Sequence, residues 1–164
     1  MAKEMEFGLL GPLVVIRLGR DIHVTAGRQR AVLAALLLSP GRVLAWDELA
    51  EVLWGTEPPP SARVAVQNYV MRLRKVLGEG GARISTRPGG YAIDVTPGEL
   101  DLYRAEELLA GARAAATAGG WEMAADRAGQ ALASWRGEPL ADVPSETLCL
   151  REVPRLAELR LQAL

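Results

Sequence analysis

Cysteine and histidine are nearly absent from this sequence, with Cys149 and His23 the sole representatives. One cysteine closes no internal disulfide, and one of each assembles no Cys/His zinc cluster. Cys149, between Leu148 and Leu150 and far along the chain from His23, reads as a small packed residue and not as a nucleophile. Long apolar runs are also missing: none approaches the roughly 18–20 residues that span a bilayer, and Met1-Ala2-Lys3-Glu4 leads into a strand pattern instead of a signal-peptide core. The sequence thus predicts a soluble cytoplasmic protein with no membrane partner. Phosphate-loop chemistry is absent as well, because Gly78-Glu79-Gly80-Gly81 and Pro88-Gly89-Gly90 lack the Lys and hydroxyl that such a loop requires. Those glycines read as turns, and the acids show no metal-ligand spacing. No catalytic residue, metal site or cofactor is expected.

What is present suffices for one sizeable domain or two modest ones: 164 residues, 49% of them hydrophobic. The net charge of -1 hides an asymmetry. Residues 1–95 carry 12 Lys and Arg against 9 Asp and Glu, whereas residues 96–164 carry 7 against 11. A basic first half and an acidic second half suggest two surfaces with different partners.

The first half has an ordered pattern. Apolar residues over 5–18, interrupted by Gly8, Gly11 and Pro12, predict a small antiparallel sheet with a hairpin turn at Leu18-Gly19-Arg20-Asp21. Ala31, Val32, Leu33, Leu36 and Leu37 predict a helix from about Arg28 to Leu38, stopped by Pro40-Gly41. A short strand at residues 42–44 precedes a second helix from Trp46 to Trp54, whose Asp47, Glu48 and Glu51 form a solvated acidic turn. Pro58-Pro59-Pro60 cannot continue a helix, and Ser61 is placed to cap a third one from Ala62 to Leu77. Residues 83–86 and 91–95 then alternate as a hairpin around Arg87-Pro88-Gly89-Gly90. Sheet, three helices and hairpin, in that order, predict an α+β winged helix-turn-helix over residues 1–95.

After Thr96-Pro97-Gly98 the spacing turns helical: residues 99–118, then 121–135, then from about Thr147 to the last residue, Leu164. This predicts an all-α, TPR-like helical-repeat domain over residues 96–164, cut within its length because so few repeats rarely stand alone. Trp121 and Trp135 are the expected buried anchors of this half, which is expected to brace and orient the first.

The third helix separates two faces at about 100° per residue. Ala62, Val66, Tyr69, Val70, Leu73 and Leu77 share the core arc, and Arg63, Val64, Gln67, Asn68, Met71, Arg72, Arg74 and Lys75 occupy the other, with no acid anywhere in the helix. Such a face suits a major groove: Arg and Lys donate to guanine, Gln and Asn pair with adenine, and Val64 and Met71 offer apolar contact to a thymine methyl. Arg63, Val64, Gln67 and Asn68, at the end that enters most deeply, are the expected base readers. Met71, Arg72, Arg74 and Lys75, with Arg83 and Arg87 of the hairpin, are the expected phosphate or wing contacts. The rival reading is a protein-interaction module on a winged-helix scaffold that does not read DNA.

Together these segments resemble a known family, the Streptomyces antibiotic regulatory proteins. The resemblance rests on residues 28–38 (RQRAVLAALLL), Leu53-Trp54-Gly55 with Pro58-Pro59, residues 66–74 (VQNYVMRLR), Thr86-Arg87-Pro88-Gly89-Gly90-Tyr91, residues 131–140 (ALASWRGEPL) and residues 156–160 (LAELR). It implies an OmpR-type winged helix followed by a bacterial transcriptional activation domain. It further implies an activator of secondary-metabolite genes that binds double-stranded DNA at direct repeats near the -35 element, side by side with further protomers. Such a protein recruits RNA polymerase holoenzyme, sigma factor included, and works at the nucleoid. The family's activation domain is longer than the stretch after Thr96, which again suggests truncation.

Overall fold

The computed structural model describes residues 4–164. Strands β1 (Met5–Gly8), β2 (Val14–Arg17) and β3 (Arg20–Asp21) form an antiparallel sheet in that spatial order, with Met5 opposite Arg17 and Arg17 opposite Arg20. The turn between β2 and β3 is only Leu18 and Gly19, at φ of 50° and 78°. Positive φ at both central residues is the type I′ geometry, whose twist matches that of the strands it joins. The expected four-residue turn is therefore tighter, and Arg20 and Asp21 pair as strand.

Helix α1 (Gly27–Leu37) is buried continuously from Ala31 to Leu37. It is the central post of the fold, with α2, α3 and the last strand of the first half against it. After β4 (Leu44–Ala45), α2 (Trp46–Trp54) starts where the Glu48 carboxylate accepts the Ala45 N–H at 3.4 Å. This satisfies one donor that the helix start leaves open. Helix α3 (Ala62–Leu77) follows the proline run; Ser61 holds the capping position but makes no side-chain capping bond. A 3-10 segment (Gly78–Arg83) leads into β5 (Ile84–Arg87) and β6 (Gly90–Ile93), and the second sheet has the order β4-β6-β5. Gly90 is required there, because a Cβ on it would stand 1.9 Å from the Leu44 carbonyl oxygen.

The second half comprises α4 (Asp101–Thr117), α5 (Trp121–Leu132) and α6 (Glu146–Leu161). Helices α4 and α5 form a close pair joined at Gly119, and α6 packs against α2. Ser145 caps α6 and ties it to α2: its hydroxyl accepts the Leu148 N–H at 3.1 Å and donates to the Val52 carbonyl at 2.6 Å. The helix ends at Leu161, short of the expected end of the chain.

The two halves share one core. A single apolar cluster runs from Phe7, Leu9, Leu10 and Leu33 to Leu100, Leu102, Trp135, Leu140 and Leu148. Polar contacts cross the same boundary. The buried Asp101 carboxylate accepts the N–H groups of Leu9 at 2.9 Å and Leu10 at 3.0 Å, and the carbonyls of these two residues accept from Leu140 N and Arg136 N. Trp135 is buried as expected, at 7% exposure, but Trp121 is 71% exposed, which corrects its reading as an anchor. Trp121 is the first residue of α5, a helix whose one fully buried residue is Ala131.

Candidate nucleic-acid interface

The α3 faces follow the burial its sequence dictates. Val66, Val70, Leu73 and Leu77 are fully buried, whereas Ala62 and Tyr69, expected in the core, are half-buried. Arg63, Val64, Gln67, Asn68, Met71, Arg72 and Lys75 are all exposed. Val64 at 58% and Met71 at 47% put aliphatic surface into solvent among amides and cations, a mixture suited to base edges and thymine methyls.

Beneath this face, cations and aromatic rings alternate. The Arg63 guanidinium lies 4.9 Å from the Trp46 ring, Trp46 meets Tyr91 edge to face at 4.9 Å and 76°, and the Arg74 guanidinium lies 5.5 Å from the Tyr91 ring. This sequence runs from the first turn of α3, through the start of α2 and the middle of β6, back to the last turns of α3. Burial raises the Tyr91 phenol above its ordinary value of 10.0 against the opposing charges of Arg74 and Arg63, so the ring serves as a neutral plate. A second stack, Arg28 on Trp54 at 4.9 Å and Trp54 beside Tyr69 at 6.4 Å, supports the middle of α3. The sequence pattern assigns Trp46 and Tyr91 only to the starts of a helix and a strand. Their only signal in the sequence is being aromatic at the edges of elements that flank a basic helix.

Two expected phosphate contacts are committed elsewhere. Arg74 is half-buried; its Nε and Nη2 donate to the Ile84 carbonyl at 3.0 and 2.8 Å, and Nη2 also donates to Thr86 Oγ1 at 3.0 Å. It fastens α3 to the hairpin. Arg83 sits at the hairpin's base, donating to both oxygens of the Glu99 carboxylate at 2.8 and 3.2 Å and to the Asp94 carbonyl at 3.2 Å. It fastens the hairpin to the segment leading into α4. Arg87, next to the Pro88-Gly89 tip, is exposed, with Nε donating to Ser85 Oγ at 3.1 Å. The exposed cations of α3 and the hairpin are therefore Arg63, Arg72, Lys75 and Arg87.

Among the described residues no group of three or more His, Cys, Asp or Glu could hold a metal ion, and no helix is long and apolar enough to cross a membrane. Burial raises the Cys149 thiol above its ordinary value, and its Sγ lies 3.7 Å from the Val143 carbonyl.

Comparison with known proteins finds two families. Residues 19–93 match the family described as transcriptional regulatory protein, C terminal, and residues 100–164 match the bacterial transcriptional activator domain. The regulatory protein AfsR of Streptomyces coelicolor is 44% identical over 98% of this chain, which spans 16% of AfsR. The regulatory protein DnrI of Streptomyces peucetius is 37% identical over 98% of this chain, which spans 62% of DnrI. The solved structure of Mycobacterium tuberculosis EmbR, in complex with a low affinity phosphopeptide, superposes at a TM-score of 0.90 and 35% identity, covering 99% of this chain and 44% of EmbR.

Proposed function

Because this chain belongs to the Streptomyces antibiotic regulatory proteins, an OmpR-type winged helix joined to a bacterial transcriptional activator domain, we propose that it is a sequence-specific DNA-binding transcriptional activator. Its targets are secondary-metabolite genes. It binds direct repeats near the -35 element, with protomers side by side, and recruits RNA polymerase holoenzyme including its sigma factor. It acts by binding and not by catalysis, in the cytoplasm at the chromosome. In this division of labour residues 1–95 bind DNA and residues 96–164 form the first part of the activation domain.

The observation that carries the reading is the exposed face of α3, where Arg63, Val64, Gln67 and Asn68 lie together at the helix start with no acid in the helix. These four are the proposed base readers. Met71 flanks them, and Arg72, Lys75 and Arg87 are the proposed phosphate contacts, with Arg74 and Arg83 holding the hairpin in place.

The test is binding-site selection with the whole chain, followed by titration of the selected duplex across a salt series. A defined motif whose affinity falls steeply with salt is the expected result, since each neutralised phosphate releases counterions. Absence of any duplex-dependent signal would instead support an interaction module that does not read DNA. If Gln67→Ala and Asn68→Ala each return the parental motif at full strength, base reading lies on another face.

A further inference from the structure

The groove between α4 and α5 gathers cations within the half of the chain that is otherwise acidic. Arg104, Glu107, Leu108 and Gly111 share one face of α4 by their spacing, and with Arg127 of α5 they line a cavity of about 460 Å³. Arg127 reaches across to α4, where its Nη1 donates to the Gly111 carbonyl at 3.1 Å. A Cβ at Gly111 would stand 3.0 Å from that nitrogen, so the guanidinium passes close over the glycine.

Arg104 differs from Arg127, Arg136 and Arg155, whose guanidinium groups all have protein partners. Its Nε is buried with no hydrogen-bond partner, and among the described residues neither a hydrogen bond nor an ion pair engages its guanidinium. With Nε closed to solvent, the terminal nitrogens are the unpartnered donors open to the groove, and a guanidinium presents a planar fork matched to a carboxylate. Leu108 supplies the apolar part of the groove's lining.

We propose that this groove docks an acidic linear segment of a protein partner. One Asp or Glu carboxylate is received by Arg104 and Arg127, and a neighbouring apolar side chain lies against Leu108. Charge complementarity selects this occupant over a nucleic-acid backbone. Residues 96–164 carry 7 Lys and Arg against 11 Asp and Glu, and Glu107 stands at the groove itself. A phosphate polymer meets that field along its whole length, whereas a single carboxylate flanked by apolar residues meets mainly the two guanidinium groups. The site lies apart from α3 and does not depend on the DNA-binding reading.

A displayed library of random linear peptides, selected on the whole chain and counter-selected on the Arg104→Gln/Arg127→Gln double variant, tests this. The expected winners carry Asp or Glu beside an aliphatic or aromatic residue. By fluorescence anisotropy they should bind the parent about tenfold or more tightly than the double variant, and should lose a like factor when the acid is changed to its amide. Glu107→Gln, which removes only the anion at the groove, should tighten binding. Should Arg127→Gln impair folding, Arg104→Gln alone carries the comparison, because its side chain has no partner to lose. Failure to enrich acidic peptides would overturn the proposal. So would displacement of a selected peptide by inorganic phosphate or random duplex DNA as readily as by its own unlabelled form.

Discussion

Arg63 lies over the face of Trp46, 4.9 Å from the ring centroid, so the first turn of α3 is steadied by the first residue of α2. The contact fixes the direction of a side chain that would otherwise sample many rotamers in solvent, and Tyr91 on the other side of Trp46 ties that direction to the hairpin. Exposed cation–π contacts contribute about 0.5–1 kcal/mol. Trp46→Leu, which keeps apolar bulk and removes the π face, should weaken specific DNA binding by about three- to fivefold, with Trp46→Phe closer to the parent. Mobility-shift titration checks this, and equal affinity for parent and Trp46→Leu would show that the stack supports nothing in binding.

The cations of α3 should separate into two kinds. Arg72→Ala and Lys75→Ala should each lower the slope of affinity against salt by about 1, weakening specific and random duplexes alike. Arg74→Ala should act differently, because it leaves the buried Ile84 carbonyl without its donor: a loss of about 1–3 kcal/mol in folding stability. Urea unfolding of the three variants distinguishes the kinds, and a stable Arg74→Ala protein with a reduced salt slope would return Arg74 to the phosphate contacts.

The tryptophans of the second half give a stability contrast. Trp135→Ala empties part of the shared core and should cost about 3–5 kcal/mol. Trp121→Ala alters a side chain that is 71% exposed and should stay within about 0.5 kcal/mol of the parent. Thermal melts decide this, and a large loss at Trp121 would mean that its ring is covered in solution.

A pH dependence follows from Asp101. Burial raises its carboxyl above the ordinary 3.8, more strongly than the Leu9 and Leu10 N–H groups, Arg136 and the Leu102 N–H lower it. A raised folded-state value means that the native form binds the proton more tightly than the unfolded chain. The contribution of this group to stability is thus fully present below the unfolded value and is lost as pH rises through the raised one. Asp101→Asn, which cannot titrate, removes that dependence. The stability of the parent relative to the variant should therefore increase as the buffer is taken from pH 7 toward about pH 4. Urea midpoints at several pH values measure it, and a difference that shrinks on acidification would reverse the sign assigned here.

Most of the first half was legible because its burial follows simple periods. The bounds of α2 and α3 coincide with the apolar spacing, and the exposed face of α3 was readable from Val66, Val70, Leu73 and Leu77 alone. Side-chain partners were less accessible. Arg74 and Arg72 look alike in the sequence, yet only Arg74 meets the Ile84 carbonyl, which is brought near when Gly78–Arg83 turns back on α3. That turn depends on Gly81, where a Cβ would stand 2.4 Å from the Arg74 carbonyl oxygen. The strand pattern ends with β6 at Ile93 and helix resumes with α4 at Asp101, but no periodicity could reveal that Leu9 and Leu10 complete their hydrogen bonds on Asp101, Arg136 and Leu140. Contacts so distant along the chain leave no local pattern.

The shared core also sets a bearing. With Leu9 and Leu10 fastened to Asp101, and Val52 to Ser145, helices α4 to α6 keep one angular position relative to the axis of α3. A protein seated by α3 in the major groove would hold its acidic half at one compass point around the duplex. Moving the binding site by half a helical repeat, about five base pairs, would carry that half to the far side of the DNA, whereas a shift of about ten would restore it. Promoter output should then rise and fall with the period of the double helix as the spacing changes, instead of declining smoothly with distance.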